Sequence, residues 1–431
     1  MKKKIFANIL MISMLFAGCA NPVSNTDSIL SQDTEQIDTT ISDTQTIDME
    51  NATEQTPYGI SITELTEDTT YYSKTDPSVQ ILNGSASYPE ISIADHADIE
   101  KKINDVIKSE VDTFWTFEEE NSGYADSEYQ MTVDNADTEF EPYTAEFSYE
   151  TQRCDDAILS IVFKQYDYSY GAAHGNLWSY GITFDVNTGE RLYLETLSDD
   201  YTSFYQMLVK NLNDQAVLPA YENFVFSDFA SDIESSLLKD SASWYFDRSG
   251  LSFISNPYVL GSYAAGTFEF NIPYDQLTGL KSAYAYKGPY ICKLFPGISV
   301  SHDVNGNGSA DEICYSLNVG DNMDYSSASA VLTINGTDFS RQLDDLHLTY
   351  PWTGAYYLID VDSEDSYVEI AISNENYDNP KGTCTHFFRY DTSGKLIYQG
   401  NVAGIFNEDM QVRYNSNGNL ILCDRNGEPV Q

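Results

Sequence analysis

At 431 residues, 42% of them hydrophobic, the chain is long enough for two or three domains with well-packed cores. It carries 67 acidic and 22 basic residues, for a net charge of −45 at pH 7. This balance argues against nucleic acid and anionic lipid headgroups as partners, and it favours basic proteins, cationic peptides or Ca²⁺. The alternative is that an acidic surface merely keeps an exported protein soluble.

The N-terminal residues have the pattern of a bacterial export signal. Lys2–Lys4 precede an apolar run, Ile5–Phe16, that is too short to remain as a membrane span. The FAGC sequence that ends at Cys19 resembles the lipobox of bacterial lipoproteins. The resemblance implies a signal peptide over residues 1–18, lipidation of Cys19 and anchoring at the extracytoplasmic face of the cell membrane. The alternative is an ordinary signal peptide with a chance cysteine. Residues 19–56 are polar and acidic, so we expect a disordered tether there.

The first folded part is predicted to combine strands with one helix. Apolar residues recur at helical spacing from Ile99 to Phe114, after Asp95 as the N-cap. The other predicted features are, in chain order, strands within Tyr71–Ile93 with a turn at Asn83-Gly84 and a break at Pro89, a loop over Ser122–Glu139, strands at Thr144–Glu150 and Ala157–Tyr170, and a hairpin over Gly181–Leu194 that turns at Asn187–Gly189.

Two helices and further strands follow, and the pattern of apolar residues then changes. The helices are predicted at Ser203–Asn213 and Ser227–Lys239, the second capped by Ser227, and the strands lie within Trp244–Ile272. Helices segregated from an antiparallel sheet give an α+β class. From residue 298 to 431 no helical period is visible, and an all-β C-terminal domain is predicted. Its turn signals are Asn305–Gly308, Asn335-Gly336, Ser393-Gly394, Asn417-Gly418 and Asn426-Gly427.

Two strand-rich blocks carry a family resemblance. The first holds Gly171–Asn176 (GAAHGN), Phe184-Asp185 and Thr188-Gly189, and the second holds Asn256–Tyr258 (NPY), Tyr263–Gly266 (YAAG) and Ile272–Tyr274 (IPY). Their order and spacing resemble the extracytoplasmic domain of RsiV-type anti-sigma factors. Residues 71–170 are similar to the companion domain found in RsiV and in PdaC-type peptidoglycan deacetylases. The resemblance implies an α+β domain over residues 57–170 followed by an RsiV-like α+β domain over residues 171–287.

The resemblance implies binding, because RsiV-type domains bind lysozyme. No sigma-binding segment and no metal-binding Asp and His pattern of the deacetylases is visible, so we do not expect an enzyme. The expected partner is a basic protein such as lysozyme, or peptidoglycan. The alternative is a structural or accessory envelope protein with no soluble ligand. Asn256, Pro257, Tyr258 and Tyr263 are the predicted contacts, since a rigid proline loop beside exposed tyrosines makes an ordered anchor. The alternative is that they only shape the sheet, and His174 is expected to be structural.

One loop has the spacing of a calcium site. Asp303, Asn305, Asn307 and Asp311 offer side-chain oxygens and Ser309 a carbonyl oxygen, with Gly308 at the turn. The pattern resembles the calcium loops of FG-GAP-type β-propeller repeats, which implies a structural Ca²⁺, and a metal-free Asn/Gly turn is the alternative. Five cysteines follow Cys19, an odd number without close spacing, so a dense disulfide framework is not expected. One or two long-range disulfides, with Cys292 and Cys314 as the pair closest in sequence, and buried free thiols both stay open.

Overall fold

The computed structural model describes residues 53–55, 59–133, 140–218, 221–320, 324–344, 346, 356–374, 382–407, 410–415, 418–423 and 429. The predicted signal peptide, Cys19 and most of the predicted tether lie outside these residues. Thr53–Gln55 (β1) falls inside the predicted tether, yet it forms a strand that pairs antiparallel with the next one. Within the described residues, no helix is both long and apolar enough to cross a bilayer.

A six-stranded sheet and one long helix form the first layer pair. The strands β1 to β6 lie in sequence order, and the helix α1 connects β3 to β4, the one parallel pair of this sheet. Parallel neighbours need such a crossover. Ile99, Ile103, Ile107, Val111 and Phe114 bury one face of α1 against the sheet. The bounds are β2 Ile60–Tyr72, β3 Gln80–Ile93, α1 Ala97–Val133, β4 Tyr143–Cys154, β5 Ile158–Tyr168 and β6 Asn176–Asp185.

The predicted turn at Asn83-Gly84 and break at Pro89 are wrong, because β3 runs through both. A Cβ on Gly84 would lie 2.7 Å from the Trp115 ring, so the glycine makes room for α1 rather than for a turn. Pro89 is tolerated because β4 pairs with β3 only over Leu82–Ala86, which leaves one side of β3 without a strand at Pro89. The chain turns earlier, where the N–H of Ser73 donates to the Val79 carbonyl at 3.0 Å.

The ends of α1 also differ from the prediction. Asp95 has a φ of +63°, two residues before the helix begins, so it is not the N-cap. The stretch predicted as a loop from Ser122 continues the helix as far as Val133. Its buried face there is built from Glu118, Ser122 and Asp126, polar residues at a spacing of four that a search for apolar periodicity passes over.

The second layer pair combines a three-stranded sheet with short helices. The predicted strands and helices are confirmed, although α3 begins at Phe229 rather than after Ser227 and continues as a π-helical turn, Ile233–Leu237. The hairpin predicted over Gly181–Leu194 lacks its second strand, because after the turn at Asn187–Gly189 the described residues form an isolated bridge between Arg191 and Phe184. The bounds are α2 Tyr201–Ala216, α3 Phe229–Asp232, β7 Trp244–Phe246, β8 Gly250–Ser255 and β9 Phe268–Pro273.

Arg153 joins the two layer pairs. Its buried guanidinium donates to the Asp155 carboxylate and to the Tyr274 hydroxyl, both at 2.6 Å, and to the Tyr284 carbonyl at 2.7 Å. β6, which follows the predicted domain boundary at residues 170 and 171, belongs to the first sheet. The first sheet therefore extends past the predicted boundary, and hydrogen bonds from Arg153 connect the two predicted α+β domains.

Where the structure describes it, the C-terminal region is built mainly of strands, with one short α-helix, α4 Ser340–Asp344, that the sequence patterns did not predict. Its first strand, β10 (Ile291–Lys293), pairs with β15 (Tyr356–Ile359) and precedes the predicted start at residue 298. The turns at Asn305–Gly308, Asn335-Gly336 and Ser393-Gly394 are confirmed, whereas Asn417 and Asn426-Gly427 lie outside the described residues. The five described cysteines form no disulfide. The strands are β10 Ile291–Lys293, β11 Ser299–His302, β12 Asp311–Gly320, β13 Asp324–Ile334, β14 Thr337–Asp338, β15 Tyr356–Ile359, β16 Glu369–Asn374, β17 Cys384–Tyr390, β18 Leu396–Ala403, β19 Gln411–Tyr414 and β20 Leu420–Cys423.

These strands form two sheets and a hairpin. The five-stranded sheet has the order β10-β15-β16-β17-β18, the four-stranded sheet the order β11-β12-β13-β14, and β19 pairs with β20. A core between the two sheets includes Ile313, Leu332, Leu358 and Ile370.

Candidate binding surface and calcium loop

The loop after β8 begins with a buried asparagine. Asn256 is 4% exposed, and its side-chain amide pairs with the backbone of Ser179 on β6. The N–H of Ser179 donates to Asn256 Oδ1, and Asn256 Nδ2 donates to the Ser179 carbonyl, both at 2.8 Å. Asn256 thus acts as a strand neighbour for β6, which fits the alternative that this residue shapes the sheet.

The next residues bring a tyrosine to the surface. Tyr258 is 62% exposed and has a φ of +70°, a left-handed conformation that is uncommon for a non-glycine residue. Its N–H donates to the Gly261 carbonyl at 2.8 Å, and the N–H of Val259 donates to the Asn256 carbonyl at 3.1 Å. Pro257 precedes it, half-buried. The exposed ring is therefore carried by a closed, hydrogen-bonded turn.

Tyr263 and His174 form a stack beside this turn. Their ring centroids are 3.4 Å apart with an interplanar angle of 14°, and the Tyr258 ring lies 6.0 Å from Tyr263. The Tyr263 hydroxyl donates to the Gly175 carbonyl at 2.8 Å, and His174 Nδ1 lies 3.0 Å from the same oxygen. Gly175 packs so tightly on Tyr166 that a Cβ would overlap its ring. We name His174, Tyr258 and Tyr263 the aromatic cluster, which joins the two motif blocks.

The predicted calcium loop is ordered by its own side chains. Both Asp303 carboxylate oxygens accept backbone N–H groups, from Asn307 at 3.1 Å and from Gly308 at 2.7 Å. Desolvation raises the pKa of Asp303, but these N–H bonds outweigh it and lower the pKa, so the carboxylate is charged at neutral pH. Asn305 Oδ1 accepts from Asn307, and Asn307 Oδ1 accepts from the N–H of Ser309.

The far end of the loop is tied to the neighbouring hairpin. Asp311 Oδ1 accepts from Asn335 Nδ2 at 2.7 Å, and its Oδ2 accepts from the N–H of Val304 at 3.3 Å. Asp303, Asn305, Asn307 and Asp311 thus lie on one turn. Within the described residues no group of three or more His, Cys, Asp or Glu side chains is arranged to hold a metal. The carbonyl and amide oxygens that the loop also offers are hard donors of the kind Ca²⁺ takes.

A cysteine and a histidine that the sequence patterns did not flag lie in contact on β17. Cys384 Sγ is 3.2 Å from His386 Nε2, and His386 Nδ1 is 3.1 Å from the Tyr398 hydroxyl. Burial raises the pKa of the Cys384 thiol and lowers the pKa of the His386 imidazole. Both shifts favour the neutral forms over the thiolate–imidazolium pair of cysteine hydrolases. Their i, i+2 spacing on a strand was the signal available in the sequence.

Two family models match separate parts of the chain. One, described as Deacetylase PdaC, matches residues 76–177, and the other, described as a protein of unknown function (DUF3298), matches residues 199–275. The first match contains α1, β4 and β5, and the second runs from α2 through β9. Within the aromatic cluster, Tyr258 and Tyr263 lie in the second match and His174 lies in the first.

Two solved structures of the second family are similar to the chain. One, from Bacteroides fragilis NCTC 9343, is 17% identical; the similarity covers 53% of this chain and 96% of that chain, with a TM-score of 0.39. The other, from Pseudomonas aeruginosa PAO1, is 16% identical; the similarity covers 55% of this chain and 99% of that chain, with a TM-score of 0.34. No curated protein matches the chain.

Proposed function

We propose that the protein is a lipoprotein anchored through Cys19 at the extracytoplasmic face of the membrane, and that its RsiV-like module binds a basic protein of the lysozyme type without catalysing a reaction. The observation that carries the proposal is the exposed Tyr258 ring, held on a closed turn next to the stacked His174 and Tyr263. A turn that is already closed loses little backbone conformational entropy when a partner covers the ring that it exposes. Tyrosine is also among the residue types that most often dominate binding energy.

Charge and motif content support the same partner. The net charge of −45 attracts a basic protein and speeds its encounter, although such attraction does not by itself give specificity. The GAAHGN and NPY segments, which resemble those of lysozyme-binding domains, meet at the aromatic cluster. A cell-wall glycan is the second candidate ligand, because stacked aromatic rings also offer flat apolar faces to sugars.

The calcium loop has a separate role in this proposal. Asp303, Asn305, Asn307 and Asp311 would hold Ca²⁺ through side-chain oxygens, and Ser309 through its carbonyl. The two asparagines reduce the negative charge of the site, so we expect weak, millimolar-range affinity of the kind found in extracellular modules. The ion would stiffen the connection between β11 and β12, and it takes no part in partner binding.

Binding of hen lysozyme to the purified residues 20–431, which keep β1, tests the function. We expect the wild-type chain to bind and inhibit lysozyme, and Tyr258→Ala to weaken binding by about tenfold or more, the effect of removing a hot-spot side chain. Tyr124→Ala is the matched control, since Tyr124 is 67% exposed on α1, far along the chain from the aromatic cluster. Calorimetry at low and moderate salt separates specific contact from charge attraction.

Three outcomes would reject the lysozyme proposal. Binding that disappears at moderate salt would show charge attraction alone. An equal loss of affinity in the Tyr258 and Tyr124 variants would deny the aromatic cluster a special role. No binding even at low salt would leave the accessory envelope role, or binding of chitooligosaccharides measured in the same calorimeter, as the remaining function.

A further inference from the structure

Three large apolar side chains of α1 are exposed on one line of the helix. Phe117 is 42% exposed, Tyr124 is 67% exposed and Met131 is 73% exposed. Residues seven apart on an α-helix are separated by almost two full turns, so these three side chains project in nearly the same direction. We name them the apolar stripe. Single exposed apolar residues are common on protein surfaces, whereas a line of them at this spacing is typical of a helix face that packs against another helix.

The contacts of α1 show on which side of the helix the stripe lies. Glu110, seven residues before Phe117, accepts a hydrogen bond from the Tyr180 hydroxyl of β6 at 3.1 Å. Lys108, on the other side of the helix, pairs with Glu67 of β2 at 3.2 Å. Since residues seven apart share a side of the helix, the stripe continues the β6 side of α1.

A tryptophan of β6 adds a fourth exposed ring to this side. Trp178 is 39% exposed and lies two positions from Tyr180, so both side chains are on the face of β6 that α1 covers. The helix and the strand run in opposite directions, because Lys102 near the start of α1 donates to the Thr188 carbonyl just after the end of β6. Phe117 therefore lies toward Trp178, and the apolar surface extends from the stripe to this ring.

The charged residues of this part of α1 are all acidic. Beyond Lys108 the helix contains no Lys or Arg, and Glu119 and Glu120 are exposed. Glu120 and Glu128 lie four residues before and after Tyr124, a spacing that makes them its neighbours on the helix surface. The exposed side of the second half of α1 is therefore an apolar line flanked by carboxylates.

This combination of apolar line and negative charge selects the partner. A second copy of the chain would bring two rows of carboxylates together, and like charges beside a helix–helix contact oppose pairing. An acidic helix of another protein would be repelled in the same way. A helix with apolar residues three and four apart and Lys or Arg beside them matches both features. Its apolar side covers the stripe, and its cations lie next to Glu119 and Glu120.

We propose that the apolar stripe binds cationic amphipathic peptides, which have little helix in water and fold into a helix against α1. The stripe runs from Phe117 to Met131, about 21 Å of helix at 1.5 Å per residue, so a peptide of about four turns covers it. Helices of this class also insert into membrane surfaces, and binding at the stripe competes with that insertion. The stripe is separate from the aromatic cluster, and it does not depend on the lysozyme proposal.

Calorimetry and circular dichroism with a synthetic peptide test the stripe on residues 20–431. The probe is a peptide of two Leu-Lys-Lys-Leu-Leu-Lys-Leu repeats, and its control has the same composition in a scrambled order that spreads leucine around the helix. We expect the probe to bind and to gain helical signal on mixing, and the scrambled peptide to bind at least about tenfold more weakly. Tyr124→Ala should weaken binding of the probe by about tenfold, because it removes the central side chain of the stripe.

Ile397→Ala is the matched control. Ile397 is 43% exposed on β18, in the C-terminal region, and its loss should leave binding of the probe unchanged. Equal binding of the probe and the scrambled peptide would overturn the proposal, because it would show charge attraction alone. Binding without a gain of helical signal, or an effect of Ile397→Ala as large as that of Tyr124→Ala, would overturn it as well.

Sedimentation of the chain without peptide tests the other occupant of the stripe. A dimer that Tyr124→Ala abolishes would assign the stripe to a second copy and would overturn the peptide proposal, whereas a monomer supports it. Since Tyr124→Ala should leave lysozyme binding unchanged, the peptide proposal and the lysozyme proposal can fail independently. Tyr124 is exposed, so its truncation leaves the core of the protein intact.

Discussion

A buried glutamate in α1 should make the stability of the protein depend on pH. Glu118 is 2% exposed, and its described hydrogen bond is from Asn121 Nδ2 at 3.2 Å. Burial raises the pKa of Glu118 to about 7, the Asn121 bond opposes this, and the negative charge of Asp167 adds to it. The position belongs to the buried polar stripe that extends α1 beyond its apolar residues.

The direction and the size of the effect follow from the shift. Below pH 4.5 Glu118 is protonated in the folded and the unfolded chain, so it costs nothing. As the pH rises toward about 7, the unfolded chain ionises first and the folded chain is progressively destabilised. Above that pH the full cost remains. A shift from 4.5 to about 7 corresponds to about 3 kcal/mol at 1.36 kcal/mol per pKa unit.

Glu118→Gln removes this cost without removing the oxygen that accepts from Asn121. We expect it to stabilise the protein by about 2–3 kcal/mol at about pH 8 and to have little effect at about pH 4. Thermal and urea unfolding followed by the helical circular dichroism signal measure both values. Glu120→Gln, an exposed change two residues away on the same helix, is the control and should show no such difference between the two pH values.

A gain from Glu118→Gln that is equal at both pH values would refute the reasoning, because it would show that the charged form of the carboxylate is not the source of the cost. A loss of stability at the higher pH would refute it more strongly. That result would mean that the ionised Glu118 makes a favourable contact in the folded chain.

Two further predictions concern the connection between domains and the metal loop. Arg153→Met should destabilise the chain by about 3–5 kcal/mol in urea unfolding, because it leaves the buried Asp155 charge without its partner. A loss as small as that from removing the exposed Lys210–Asp214 pair would contradict the joining role of Arg153. Ca²⁺ at about a hundred times its dissociation constant should stabilise the β-rich region by about 2.7 kcal/mol in thermal melts. Asp303→Asn should abolish that gain, and melting that is identical with Ca²⁺ and with chelator would exclude the metal.

Local sequence patterns predicted the elements whose own residues show an apolar period. The apolar residues from Ile99 to Phe114 repeat at helical spacing, and the alternation in β5 predicts a strand, so both elements were found, although residues 158–163 of that strand are buried on both faces. The prediction of a turn at Asn83-Gly84 was wrong because the glycine makes room for Trp115, a side chain that only the folded chain brings to it. The predicted end of α1 was wrong because the last buried turns of the helix use polar residues, which carry no apolar period.

The candidate sites were likewise predictable only where their own residues carry a signal in the sequence. Tyr258 and Tyr263 could be selected from sequence because motif resemblance and tyrosine chemistry pointed to them. Their contact with His174 depends on tertiary structure that brings two motif blocks together. The Arg153 connection gave no signal at all, since a lone charged residue in a strand is indistinguishable in sequence from an ordinary surface charge.

β6 lies at the edge of the six-stranded sheet, and segments that follow it in the chain cover this edge. Ser179, Gly181 and Thr183 direct their backbone polar groups away from β5, and an uncovered edge of this kind invites pairing with other chains. The Asn256 side chain satisfies Ser179, the Ala242 carbonyl accepts from Gly181 at 2.7 Å, and the N–H of Leu192 donates to the Thr183 carbonyl at 2.8 Å. Three separate segments thus close one strand.

This closure also positions the proposed binding surface. The Asn256 bonds hold the turn that exposes Tyr258. Each bond contributes about 1 kcal/mol, and an unpaired buried backbone group would cost more. The loop residues near Asn256 are therefore fixed by the need to finish the sheet. The exposed tyrosine is built on that fixed edge.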